Sequence, residues 1–160
     1  MDSWGDVTWT TDHGWYVRRG PAPALYPNPP EGSFVFTVHR RKAKVRWVLR
    51  WRNNTDYLLF ELDNRDFRRK QANGGAAREL AVVHGQSGDK LVTLRIDVSK
   101  GRVTHSLWSN NTWTVLDDWQ DASLDFTSGK FGFWPAAGEE IGVSNFKFTH
   151  ALVTPAPPRL

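Results

Sequence analysis

The chain has 160 residues, no cysteine, nine tryptophans, nine phenylalanines and a formal charge of +4. That length suits one domain whose core stands without cross-links, and the missing thiols exclude disulfide frameworks and thiolate chemistry. The opening MDSWGDVTWTTDHG has no basic or apolar run and no stretch is long enough for a membrane-spanning helix, so a cytoplasmic protein is expected, at most peripheral on a membrane complex.

In chain order, residues 1–32 carry Trp4, Trp9 and Trp15, then GPAPALYPNPPEG, whose five prolines predict an irregular arm laid across the domain. From Ser33 the pattern changes. SFVFTVH alternates, and in KVRWVLRW the residues Val45, Trp47, Leu49 and Trp51 share a face, which assigns Trp47 and Trp51 to a core. DYLLFELD, RELAVVH, KLVTLRIDV, RVTHSLW, WTVLDDW, KFGFW and EIGVSNFKF follow, separated by turn residues. Short strands at this spacing predict an all-β, antiparallel sandwich or barrel over residues 33–150. Residues 151–160, ending TPAPPRL, read as a proline-rich tail.

WRNNT at Trp51–Thr55 and WSNNT at Trp108–Thr112 each join two strands. Asparagine tolerates left-handed backbone, so both are expected to be hairpin turns. Their flanks do not repeat, which argues against duplication. The N-x-Thr matches at Asn53 and Asn110 are expected to be idle without a leader peptide.

Charge is uneven: residues 39–70 hold eleven Lys or Arg against four acids, and residues 109–160 hold three against six. Arg40, Arg41 and Lys42 with Arg68, Arg69 and Lys70 are expected to form a basic patch for an acidic protein or an anionic membrane surface. Nucleic acid is disfavoured, because no nucleic-acid module surrounds these runs. The five histidines show no metal-ligand spacing, and Asp117, Asp118, Asp121 and Asp125 fit no calcium-loop rule, so neither a metal nor a cofactor is expected.

Three blocks carry a family resemblance: VRWVLRWRNNTDYLLFELDN, LVTLRIDVSKGRVTHSLW and GKFGFWPAAGEEIGVSNFKF. Together they resemble the concanavalin A-like, laminin-G-type jelly-roll superfamily, which includes lectins, glycosidases, keto-disaccharide hydrolases and protein-interaction modules. The resemblance implies a two-sheet antiparallel β-sandwich (jelly roll) with a ligand face using Arg50, Glu61 and Asp63. Alternation adds Arg46 and Arg52 beside them, with Arg95 and Asp97 on a third strand. Trp108, Trp113 and Trp134 are candidate rings for a sugar, with Trp108 placed in the site. ELDNRD, Glu61–Asp66, is similar to the Glu-x-Asp-x-x-Glu strand of family-16 glycosidases, with Asp66 at the last position. Asp is one methylene short for that two-carboxylate chemistry, so no catalytic residue is assigned. The leading expectation is a non-catalytic accessory subunit docking on a larger assembly. A carbohydrate-binding module comes second, and a glycan hydrolase using Glu61 and Asp66 third.

Overall fold

Alternating apolar side chains bury only when two such surfaces meet, and here they meet as two antiparallel sheets. The computed structural model describes Trp4 and residues 9–42, 44–85 and 90–151, apart from the side chain of Lys42. Among these residues the strands are β1 (Thr10–Asp12), β2 (Trp15–Arg19), β3 (Ala24–Leu25), β4 (Gly32–Lys42), β5 (Val45–Asn53), β6 (Asp56–Leu62), β7 (Phe67–Asn73), β8 (Arg78–Val83), β9 (Leu91–Ser99), β10 (Arg102–Ser109), β11 (Thr112–Gln120), β12 (Lys130–Phe133) and β13 (Glu140–His150). One sheet has seven strands in the order β1-β2-β13-β4-β9-β10-β11, and the other has six in the order β3-β12-β5-β6-β7-β8.

The core lies between them. Phe34, Phe36 and Val38 of β4 and Leu94, Ile96 and Val98 of β9 face Val45, Trp47 and Leu49 of β5 and Leu58, Phe60 and Leu62 of β6. Aromatic rings fill one region of it: Phe34 stacks on Phe131 with centroids 4.1 Å apart, and Trp4 stacks on Phe133 at 5.6 Å. Such pairs add about 0.5–1.5 kcal/mol each beyond the area they bury.

The segment expected as an irregular arm is more ordered than its prolines suggest. Strand β2 joins the seven-stranded sheet by pairing with β13, β3 pairs with β12, and Trp4 and Trp9 are buried in the core. The prolines cluster at residues 21–30, outside β2, so they interrupt the segment without barring its first half from the sheet. Strand β7, FRRKQAN, is absent from the sequence-based strands because its charges masked the alternation of Phe67 with outward Arg68 and Lys70. Residues 152–160 of the expected tail lie outside the described residues.

The two WxNNT stretches are hairpin turns, as expected, but their geometries differ. Asn110 and Asn111 both adopt left-handed φ, 52° and 60°, which gives the twist a two-residue hairpin needs. At Asn54–Thr55 the work is done by a side chain: the Thr55 N–H and hydroxyl both donate to Asn53 Oδ1 at 2.8 Å. Asn111→Ala is expected to lower stability by about 1 kcal/mol, whereas Asn111→Gly keeps or raises it. Urea denaturation of the two variants checks this.

A bulge at Arg50 decides what the other face of the six-stranded sheet carries. Arg50 has φ 51°, and the β5–β6 register shifts between Leu49 and Asn53. Between those two residues Arg50, Trp51 and Arg52 stand opposite the single residue Tyr57, so the alternation breaks within the bulge. Trp51 is thereby turned away from Trp47 and the core, contrary to the simple period-two reading. Gly129, with φ 74°, passes beside the bulge so closely that a Cβ there would sit 2.7 Å from the Trp51 carbonyl oxygen.

Candidate functional site

Strand β6 is buried on both faces. Its inward residues enter the core, while Tyr57, Leu59 and Glu61 point to the outer face of the six-stranded sheet. That face has an apolar half and a charged half. In the apolar half Val48, Tyr57, Leu59 and Ala72 form a second cluster, edged by Leu25, Trp51, Ala77 and Trp134. Trp51 stacks on Tyr57 at 5.3 Å, and the Trp134 ring stands edge-on to Trp51 at 4.9 Å and to Tyr57 at 5.0 Å.

The charged half is organised on Glu61, whose side chain is 1 % exposed. Lys44 Nζ lies 2.8 Å from it, Lys70 Nζ 2.5 Å and Arg46 Nη1 3.3 Å. Burial alone pushes the Glu61 carboxyl up, but hydrogen bonds from Lys44 and Lys70 and the charge of Arg46 outweigh it and hold the group below its ordinary range. The register explains the convergence: Arg46 lies opposite Glu61 across β5–β6, and Lys70 lies opposite Leu59 across β6–β7, one diagonal step away.

A cavity of about 260 Å³ sits where the two halves meet, lined by Pro21, Arg46, Tyr57, Leu59, Trp134, Ala136 and Ala137. Its wall is tied down by Glu139, whose Oε1 accepts from Arg46 Nε at 2.7 Å and from the Ala136 N–H at 2.8 Å. The Trp134 N–H donates to the Arg46 carbonyl, and Trp134 Nε1 donates to the Pro21 carbonyl at 2.6 Å. Gly20 abuts the loop between β12 and β13 in this wall; a Cβ there would collide with the Ala136 carbonyl oxygen. The Arg46 guanidinium is therefore aimed by two carboxylates, and the aromatic corner is braced by backbone.

The expected site residues are only partly brought together. Arg46 and Glu61 meet as described. Arg50 and Arg52 share Asp56, at 3.5 and 3.7 Å, at the hairpin end of β5. Asp63 lies past the end of β6 and accepts the Arg65 and Asp66 N–H groups at 2.8 Å, forming the turn into β7. Trp108 lies on β10 of the seven-stranded sheet, where it pairs edge-on with Trp113 at 5.2 Å; the two sheets share no outer face, so this ring is not beside Arg46. Asp66 also leaves the strand that the glycosidase pattern requires and binds Arg68 and His84, each at 2.9 Å. Arg95 and Asp97 pair with each other on β9, again in the seven-stranded sheet.

The residues of the expected basic patch are dispersed. Arg40 and Arg41 lie on β4 of one sheet and Arg68, Arg69 and Lys70 on β7 of the other. Arg41 meets Asp12 and Glu140, Arg68 meets Asp63, Asp66 and Glu79, and Lys70 meets Glu61. Arg69 turns inward, its guanidinium 4.6 Å over the Trp119 ring and 3.5 Å from Asp117. The side chain of Lys42 lies outside the described residues. Among the acidic run, Asp118 pairs with Arg102, and Asp121 and Asp125 cap their own turns through Ser123 and Thr127. Lys44, Tyr57, Leu59 and Glu139 were missed as site residues. Tyr57, Leu59 and Glu61 were legible as one alternating face of DYLLFELD. Glu139 carried no local signal, because it acts across the fold.

No family model and no curated protein sequence matches the chain. Solved structures do match. The carbohydrate-binding module CBM66 from Bacillus subtilis is 15% identical, with 87% of this chain and 89% of that one covered and a TM-score of 0.63. The Caenorhabditis elegans galectin LEC-6 is 14% identical, with 88% and 99% covered and a TM-score of 0.57. The GH43 protein BlXynB from Bacillus licheniformis is 10% identical, with 86% of this chain but 33% of that one covered and a TM-score of 0.63. The chain thus shares a two-sheet antiparallel β-sandwich fold with these structures.

Proposed function

We propose that this chain is a non-catalytic carbohydrate-binding module whose site is the outer face of the six-stranded sheet, centred on Arg46, Tyr57 and Trp134. The observation that carries this reading is the cavity at the seam of that face. An aromatic corner there suits the C–H side of a sugar ring, and an oriented guanidinium supplies directional donors to its oxygens. A mostly apolar concavity with a few fixed polar groups is the usual form of a small-molecule site. Two of the structures with this fold, a carbohydrate-binding module and a galectin, carry sugar-binding names. Binding without hydrolysis is supported by Glu61: a carboxyl held low inside three cations is poorly suited to donate a proton. Docking on an acidic partner through the expected basic patch has less support, because its residues lie on two sheets and Arg41, Arg68 and Arg69 already meet carboxylates.

Affinity electrophoresis through a panel of soluble polysaccharides tests this reading. The wild-type chain is expected to be retarded by at least one of them. Trp134→Ala and Arg46→Ala should each weaken retardation about tenfold, equivalent to about 1.4 kcal/mol. A wild-type chain that no polysaccharide retards, or variants that bind as well as wild type, would overturn the assignment. Release of reducing ends during incubation would instead show catalysis.

A further inference from the structure

The hydrogen-bonding groups around the cavity are sorted one-sidedly. Both carboxylates beside it are engaged by the protein: Glu61 by Lys44, Arg46 and Lys70, and Glu139 by Arg46 and the Ala136 N–H. Both are buried, whereas Lys44, Arg46 and Lys70 keep 30, 21 and 24 % of their side-chain surface in solvent. In this cluster three cations meet two carboxylates. An ammonium has three N–H donors and a guanidinium five, more than the two carboxylates take up. A neutral sugar hydroxyl both donates and accepts, so a site made for it offers acceptors as well. This edge presents donors and surplus positive charge. On the β7 side the balance reverses, since Arg68, opposite Glu61 and two residues from Lys70, is met by Asp63, Asp66 and Glu79.

We infer that the face takes an acidic glycan, with its carboxylate or sulfate on Lys44, Arg46 and Lys70 and an uncharged ring face against Trp134 and Tyr57. This inference rests on the carbohydrate-binding reading above and specifies its ligand. The opposite polarity of the Arg68 cluster sets the direction: an anionic group placed there would meet three carboxylates, so the acidic end lies toward β5 and Lys44.

Titration calorimetry on the full chain decides the point with three probes: trigalacturonate, its carboxyl-reduced neutral counterpart, and a sulfated oligosaccharide of neutral backbone. At least one anionic probe is expected to bind about tenfold or more tightly than the neutral one, and which one does so separates carboxylate from sulfate recognition. The preference should be lost in Lys44→Met/Lys70→Met. Because that variant uncovers Glu61 and risks unfolding, salt provides an independent reading: raising NaCl from about 50 mM to about 500 mM should weaken anionic binding severalfold in the wild type. A neutral probe that binds equally or better, or an anionic affinity indifferent to salt, overturns the inference and leaves the carbohydrate-binding reading standing. No binding by any probe, together with a blank polysaccharide panel, removes both.

Discussion

Glu61→Gln should destabilise the protein by about 2–3 kcal/mol at neutral pH, seen as a lower urea midpoint with little change in slope. Glutamine preserves shape and most of the volume, so packing changes little. What it removes is the negative charge on which Lys44, Arg46 and Lys70 converge within 3.3 Å. Breaking a fully buried pair by deleting one partner costs about 3–5 kcal/mol, because the other charge stays behind. Here the cations are partly exposed and water screens some of their repulsion, which lowers the figure. Replacing Glu61 also loosens Arg46, so sugar binding should fall alongside stability. A change below about 0.5 kcal/mol would show that the three cations relax into solvent and that Glu61 does not organise the face. The acid behaviour has a definite sign. The folded carboxyl is held below its unfolded value, so this stabilisation is present above the ordinary Glu range and disappears as pH falls through the lower folded value.

The second large effect comes from the core and appears at milder acidity. His105 is fully buried between the sheets, among Trp47, Phe60 and Phe67. Trp47 Nε1 donates to its Nε2 at 2.9 Å, so Nε2 is unprotonated and the neutral ring carries its proton on Nδ1. Burial, with the charge of Arg69 adding to it, pushes the imidazole down to about 3. The unfolded ring titrates near 6.5, so between these values the unfolded state holds the extra proton and acid favours unfolding. The contribution is whole above pH 6.5 and shrinks as pH falls toward 3. From pH 7 to pH 5 the wild type should lose about 2 kcal/mol by this route. His105→Gln keeps an acceptor for Trp47 and has no ionisable ring, so that part of the loss should vanish even though the variant is less stable overall. His39, also held low by burial, adds a smaller effect with the same sign, and Asp117, pushed up by burial, opposes it. Comparison with the variant isolates the His105 share. If the variant does not fold, NMR titration of the wild-type ring gives the same answer: a ring titrating near pH 6 contradicts the burial argument.

Much of the sandwich was legible because a strand with one face in a core writes itself as alternation. Phe34, Phe36 and Val38, or Leu94, Ile96 and Val98, need no partner to be recognised. The Asn110–Asn111 turn was legible for an equally local reason, since few side chains tolerate consecutive left-handed residues. Alternation fails where a face is not purely apolar or where the count slips. Strand β7 was hidden because its outward side is basic. Trp51 was assigned to the core because no pattern announces the bulge at Arg50–Arg52, where three residues stand opposite one.

Within the candidate site, Glu61 and Arg46 were identified as alternating polar residues of neighbouring strands. Their pairing is a short-range consequence of a hairpin, and the turn that sets it is written in Trp51–Thr55. The remaining contacts cross the fold. Glu139 reaches Arg46 over 93 residues of chain, and Trp134 reaches the Pro21 carbonyl over 113. The local sequence thus determined the fold class, most strands and the two hairpin turns, because backbone preference and burial act within a few residues. Tertiary structure decided which charges neutralise each other, which tryptophans face water, and that Trp108 and Arg46 lie on different sheets. Those outcomes depend on strand order and on a single bulge, and neither is encoded at the positions it affects.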